Sequence, residues 1–197
     1  MKKILVASNN KHKIEEIETI LSSLSFQIIS MQEAGVFIDI EETGRTFNEN
    51  AIIKVEALKP YWEGAILADD SGIEFDCLNG LPGVYSARFL GEDTAYELKN
   101  ELVLQMMEKQ TNRKARYVCC IAFWHNNEMH TFESYLNGEI AKEAKGNYGF
   151  GYDPVFYLPE YDCNLAELLP EKKNAISHRR QSLEKLLDFL SEESNEK

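Results

Sequence analysis

The segment 67–88, LADDSGIEFDCLNGLPGVYSAR, places two adjacent carboxylates, Asp69 and Asp70, at the end of an apolar run. Ile66, Leu67 and Ala68 read as a buried strand and Ser71-Gly72 as a turn signal. The acids are therefore expected where a sheet stops and a cleft can begin. A bound metal ion suits that position. Isolated loop carboxylates are more often simply solvated, so the pair needs partners before it means chemistry.

With 197 residues, 44% of them hydrophobic, the chain can bury a real core and is expected to form one domain over residues 1–190, with room for two lobes. The balance of 33 acidic against 21 basic residues gives a net charge of −12, which opposes non-specific binding to nucleic acid or to an anionic membrane. An anionic ligand would need a local basic pocket or a cation. The opening MKKILVASNNK is too short in apolar residues for a signal peptide, and no run reaches transmembrane length, so a cytoplasmic protein is expected. Cys77, Cys119, Cys120 and Cys163 form no CxxC pair and have no zinc-spaced histidine. Buried, reduced thiols are expected. Adjacent Cys119 and Cys120 should point to opposite faces of a strand.

Residues 3–7 read as a short buried strand, followed by a polar loop, Ser8 to Lys11, and a helix carrying Ile14, Ile17, Leu21 and Leu24 at helical spacing. The first turn of such a helix aims unpaired N–H groups into a loop that also holds Ser8, Asn10, Lys11 and Lys13. Phosphate is a natural guest there. An ordinary capped turn with solvated lysines fits the same residues. Residues 26–30 suggest a second strand. Thr46 and Glu49 have capping-box spacing, predicting a helix from Phe47 to Lys59 that stops at Pro60. Lys54 would share a face with Asn50 and Leu58.

Residues 73–78 read as a further strand and residues 79–86 as a turn-rich loop. A helix over 94–109 is predicted to bury Leu98, Leu102, Gln105 and Met106 along one side. Residues 117–124 form an apolar strand joined through Asn126-Asn127 to a hairpin partner over 129–136. The stretch 146–156, GNYGFGYDPVF, is too glycine-rich for a regular element and too aromatic for a linker. Phe150 could stack on a flat base, with Tyr152 or Asp153 bonding to it, or the aromatics could pack the loop on the core. A short helical piece over 165–169, a final helix over 177–190 docked by Leu183, Leu186, Leu187 and Leu190, and a disordered tail over 191–197 complete the reading.

Glu41, Glu42, Asp69 and Asp70 are hard oxygen donors, suited to Mg²⁺ or Mn²⁺ when phosphate completes the shell. Strand alternation should give Asp69 and Asp70 different faces, hence unequal roles. Lys172, Lys173, His178, Arg179 and Arg180 gather near the start of the last helix, where they oppose its dipole. A bound anion or a solvated positive face would each account for them. Neither a GxxxxGK loop nor a GxGxxG with a suitably placed acid occurs.

Four motifs, in order, resemble the non-canonical purine nucleoside triphosphate pyrophosphatases, the inosine triphosphatase or XTP/dITP diphosphatase family. They are SNNKHK at 8–13, EETGRTFNENAIIKVEA at 41–57, ADDSGIEFDCLNGLPGVYSARF at 68–89, and GFGYDPVF with NAISHRR near the C-terminus. They span nearly the whole chain. The resemblance implies an α/β protein with a mixed, twisted central sheet flanked by helices, and two lobes with a substrate cleft between them. It also implies a homodimer.

The activity so implied is Mg²⁺-dependent hydrolysis of ITP, dITP or XTP to the monophosphate and pyrophosphate. Asp70 would be the general base, with Glu41 helping to hold Mg²⁺ and Glu42 or Asp69 in support. Ser8, Asn9, Asn10, Lys11, His12, Lys13, Lys54 and Ser71 would hold the triphosphate. Phe150, Gly151, Tyr152, Asp153, Lys173, His178 and Arg179 would bind the base and neighbouring groups. A base with O6 as acceptor and N1–H as donor would be matched by His178 or Arg179, and adenine would leave such donors unpaired. One departure stands out: the family usually has Thr-Gly-Asn where this chain has Ser8-Asn9-Asn10. Asn tolerates left-handed backbone better than most residues and could replace the glycine. A pyrophosphatase of similar fold acting on other nucleotides, or a nucleotide-sensing module, are the rival expectations.

Overall fold

The computed structural model describes residues 2–22 and 26–195, with the His12 side chain, Leu24 and the last two residues of the expected tail outside that description. The strands are β1 (Lys2–Val6), β2 (Phe26–Ser30), β3 (Ala65–Phe75), β4 (Lys114–His125), β5 (Glu128–Ile140), β6 (Phe156–Leu158) and β7 (Cys163–Asn164). The helices are α1 (Lys11–Leu21), α2 (Phe47–Leu58), α3 (Tyr96–Met106), α4 (Pro170–Ile176) and α5 (His178–Asn195). The strands form one sheet in the order β2-β1-β3-β4-β5-β6-β7. β1 pairs parallel with both β2 and β3, whereas β6 pairs antiparallel with β5 and β7, so the sheet is mixed as expected.

The chain divides into two compact units. Residues 1–71, 119–134 and 179–197 make the first, and residues 72–118 and 135–178 the second. In the first unit Ile4, Val6, Leu67, Cys119 and Ile121 pack with Ile17 and Leu21 of α1 and with Leu183, Leu186 and Leu190 of α5. These are the apolar positions that helical spacing picked out on both helices. In the second unit Ile73, Phe75, Val103, Met107, Tyr117, Tyr152 and Phe156 form a separate core. Asn126 and Asn127 both take positive φ, 48° and 69°, the geometry a two-residue hairpin turn requires. No helix among the described residues is long and apolar enough to cross a membrane.

Several local expectations are corrected. Ser71-Gly72 does not turn: β3 runs unbroken from Ala65 to Phe75, and the acids sit in mid-strand rather than at a sheet edge. Residues 76–78 form a 3-10 turn instead of more strand. α2 ends at Leu58, and Lys59 and Pro60 begin a 3-10 turn, where proline's missing N–H costs nothing. The Thr46 side chain accepts from Glu49 N–H at 3.1 Å, but Glu49 reaches back to Arg45 N–H rather than to Thr46. α3 buries Lys99, Asn100 and Val103, while Leu98 and Met106 lie exposed. The buried face is rotated from the expected one, because Lys99 is fully buried with its ammonium on the Ala87 carbonyl at 2.7 Å.

The short helical piece shrinks to a 3-10 turn, Leu165–Glu167, and a separate helix, α4, precedes the last one. α5 continues to Asn195 and takes in most of the stretch expected to be a disordered tail. All four cysteines are free. Cys119 and Cys120 are buried and their thiols are pushed up to about 12 by that burial, whereas Cys77 and Cys163 are only half-buried.

Candidate active site

The first unit gathers its polar groups around Asp69 and Asp70. Alternation along β3 sends the two carboxylates to different partners. Asp69, 1% exposed, meets Lys13 of α1 at 3.0 Å and Arg179 of α5 at 3.2 Å. Asp70 meets Lys54 at 3.2 Å and the Asn50 amide at 3.1 Å, both on α2. Burial pushes the Asp69 carboxyl up, but Lys13, Arg179 and Lys54 outweigh it and hold the group well below the usual carboxylate range. For Asp70 burial wins over Lys54 and Lys13, and the carboxyl lies above its ordinary value, with Glu42 adding to the rise. Two neighbouring aspartates are thus driven apart, one a fixed anion and the other the better proton acceptor.

Lys54 lies on the buried stripe of α2 with Asn50, Val55 and Leu58, so it is pinned rather than solvated. Its ammonium reaches the Asp69 carbonyl at 2.9 Å, Asp70 at 3.2 Å and Glu42 at 2.7 Å. Burial alone would lower its pKa, but those acids raise it, and the residue stays charged. Arg179, 2% exposed, spreads its guanidinium over Asp69, Ser71 and Glu16. It lies in the first turn of α5 and needs no bound anion to explain its place. Four carboxylates, Glu16, Glu42, Asp69 and Asp70, meet three cations, Lys13, Lys54 and Arg179.

The loop before α1 is a capped helix start. Asn10 accepts from Lys13 N–H at 3.3 Å, and Ser8 Oγ accepts from Asn10 N–H at 3.1 Å. Asn9 is not one of the described non-glycine residues with positive φ, so the loop holds its shape without a left-handed residue there. Lys11 is exposed. Glu41 is exposed, Glu42 half-buried, and Ser71 donates to Asp69 at 3.3 Å.

Residues that could hold a divalent metal are Asp69, Asp70, Glu42 and the more exposed Glu41. Asp69 Oδ1 is buried with no hydrogen-bond partner, an acceptor that a cation would satisfy. Among the described residues no three or more His, Cys, Asp or Glu side chains are grouped so as to hold a metal ion by themselves. One or two of these carboxylates would suit Mg²⁺, whose octahedron is commonly completed by phosphate and water.

In the second unit Asp153 is the hub of the aromatic loop. It accepts from Tyr117 O–H at 3.0 Å, Phe150 N–H at 2.9 Å and Lys173 Nζ at 2.7 Å, and all but the loop backbone are buried side chains. Gly149 has φ +79°, and a Cβ there would run into the Asp153 carboxylate, so the turn requires glycine. Lys173 also lies 4.5 Å from the centre of the Phe150 ring. Phe150 is partly exposed, while Tyr152 is buried with its O–H on the Ser86 carbonyl at 2.9 Å. His178 stacks flat on Tyr117, 4.9 Å between centres and 6° between planes.

The basic residues at 172–180 therefore separate. Lys173, His178 and Arg179 are buried among specific partners. Lys172 lies over Tyr161, and Arg180 pairs with Glu184 one turn along the helix. Sequence reasoning missed Asn50, Glu16 and Tyr117 as members of these clusters. Asn50 carried a signal, an amide one turn from Lys54 on the same face.

Comparison with known proteins adds to this geometry. The Ham1 family model matches residues 4–189. The dITP/XTP pyrophosphatase of Clostridium perfringens is 44% identical over 199 residues, covering 96% of this chain and 98% of the relative. The dITP/XTP pyrophosphatase of Desulforamulus reducens is 45% identical over 192 residues, covering 96% of each chain. Among solved structures, the Staphylococcus aureus Ham1 protein superposes with a TM-score of 0.90 at 42% identity, covering 98% of this chain and 100% of that one. A HAM1 protein from Coxiella burnetii gives 0.91 at 41% identity, with the same coverage.

Proposed function

The chain belongs to the Ham1 family, and from that premise we propose that it hydrolyses non-canonical purine nucleoside triphosphates, ITP, dITP and XTP, to the monophosphate and pyrophosphate. The observation that carries this reading is the division of two adjacent carboxylates, Asp69 gripped by Lys13 and Arg179 and Asp70 held by Asn50 and Lys54 beside Glu42. Relatives at 44 and 45% identity named dITP/XTP pyrophosphatases support the substrate class.

In the proposed reaction Asp70 takes a proton from a water molecule that attacks the α-phosphorus in line with the bond to the bridging oxygen. That bond breaks, pyrophosphate leaves with the electron pair, and no covalent enzyme intermediate forms. Asp70 is placed for this task by Lys54 and Asn50, and a water made more acidic by a bound metal would narrow its gap to a carboxylate base. Lys13 and Lys54 offset the charge that builds on the phosphate oxygens. Ser8, Asn10, Ser71 and the first turn of α1 would bind the triphosphate, with Asn9, Lys11 and His12 beside them in the 8–13 motif.

Asp70 and Glu41, supported by Glu42 and Asp69, would hold Mg²⁺, which when bound supplies Lewis-acid polarisation and a more acidic water. The base would stack on Phe150 and take a donor from His178 at O6, since the Arg179 guanidinium is committed to Asp69, Ser71 and Glu16, with Gly151 to Asp153 and Lys173 shaping the loop around it. The protein is proposed to act as a homodimer, as the family resemblance implies, and in the cytoplasm. Pyrophosphate release from ITP, dITP and XTP compared with ATP and GTP, in Mg²⁺, tests the assignment. Preferential turnover of the first three is expected, and equal or absent turnover of ITP overturns it.

A further inference from the structure

Asn50 is fully buried on α2 and uses both ends of its amide. Its Oδ1 accepts from Gly44 N–H at 2.8 Å, and its Nδ2 donates to Asp70 Oδ2 at 3.1 Å. The orientation is forced by its neighbours. An N–H on one side needs an acceptor and a carboxylate on the other needs a donor, so the reversed amide would oppose like with like at both ends. Lys54, one turn further along α2, takes the other oxygen, Asp70 Oδ1, at 3.2 Å. The carboxylate plane is thereby fixed at two points by one rigid helix.

Gly44 closes the other side of this bridge. A Cβ there would lie 2.6 Å from Asn50 Oδ1, 2.7 Å from Glu49 Cβ and 2.9 Å from Asn50 N. The loop that carries Glu41 and Glu42 is thus drawn against the same amide that orients Asp70, with no space for a side chain. A fully buried amide costs stability unless it is satisfied, and here its satisfaction goes to the base and the acidic loop.

We propose that Asn50 is a positioning residue for the hydrolysis: its amide orients the Asp70 carboxylate toward the attacking water and ties that carboxylate to the acidic loop through Gly44. This rests on the reading of Asp70 as the general base. The two oxygens of a carboxylate are not equivalent once one is held by an amide and the other by an ammonium. Freeing Oδ2 lets the plane rotate, and a misplaced base loses rate without losing substrate.

The test uses the full-length chain and three variants, Asn50→Asp, Asn50→Leu and Gly44→Ala. Asn50→Asp keeps the shape and the acceptor for Gly44 N–H but removes the donor to Asp70. Asn50→Leu removes both bonds without adding charge. Gly44→Ala displaces the Asn50 amide from the opposite side and alters the chemistry of none of the side chains that contact Asp70. Thermal unfolding identifies any variant that fails to fold, and calorimetric titration with a non-hydrolysable dITP analogue measures binding independently of turnover.

All three folded variants are expected to lower kcat for dITP about 10- to 100-fold, while KM and analogue affinity stay within about threefold. A merely structural Asn50 would lower unfolding temperature and leave the kcat of the folded protein unchanged, and that result overturns the inference. Loss in Asn50→Asp alone, with Asn50→Leu at full rate, assigns the effect to added charge and also overturns it. Asp70→Asn is run beside them. If that variant keeps full turnover, the reading of Asp70 as base fails; if it is inactive while the Asn50 variants are not, the positioning role alone fails.

Discussion

Asp69 and Asp70 are consecutive in β3, yet they share little. Asp69 is gripped by Lys13 and Arg179 from α1 and α5, and Asp70 by Asn50 and Lys54 from α2. The same burial that is overcome for Asp69 prevails for Asp70. A period-two strand thereby converts one dipeptide into two chemical roles.

Asp69 should act chiefly as a structural anion. Its folded pKa is depressed, so its stabilising contribution is fully present above the ordinary value of 3.8 and fades as pH falls through the lower folded value. Asp69→Asn, which leaves Lys13 and Arg179 without their buried partner, is expected to cost about 3–5 kcal/mol at pH 7. Urea unfolding at pH 7 and at pH 3 measures this. The gap between wild type and variant should narrow at the lower pH, and a pH-independent gap would contradict the assignment.

Arg179→Lys should fail to replace arginine. One guanidinium bonds Asp69, Ser71 and Glu16, a fork that a single ammonium cannot reproduce. A loss of about 2 kcal/mol or more in denaturant unfolding is expected. A variant as stable as wild type would show that the fork is dispensable.

Lys173→Met removes the buried ammonium from Asp153 and keeps most of the side-chain volume. Asp153 then holds the loop only through Tyr117 and the Phe150 backbone. Because the pair is buried, the expected cost is about 3 kcal/mol or more, together with a raised KM for dITP as the Phe150 loop loosens. Unchanged KM in the folded variant would separate the loop from substrate binding.

Chelation by EDTA should reduce turnover to background, and excess Mg²⁺ should restore it. Steady-state pyrophosphate release before and after metal addition is the readout. Undiminished turnover in EDTA would remove Mg²⁺ from the proposed mechanism.

Much of this arrangement is legible in the residue pattern alone. Apolar spacing marks the buried faces of α1 and α5, the Asn126-Asn127 pair marks the hairpin, and strand alternation separates Asp69 from Asp70. The signals that mislead are those that tertiary context overrides. Ser71-Gly72 looks like a turn, but Ser71 is held on Asp69 and Arg179 within an unbroken strand. Leu98 and Met106 look like a core face, but Lys99 takes the interior because its ammonium finds the Ala87 carbonyl. Lys173, His178 and Arg179 look like one basic patch, yet each pairs with a residue far away in sequence. Spacing along a chain cannot supply such partners. Asn50 is legible only as a neighbour of Lys54, since an amide's two-sided bonding needs both the Gly44 loop and β3 in place.

The most direct test is Asp70→Asn in the full chain, with binding and turnover measured on the same preparation. Retained affinity for a non-hydrolysable dITP analogue, with kcat for dITP reduced about 10³-fold or more, is the expected result. Turnover within a few-fold of wild type would contradict the account, because the base would then lie elsewhere.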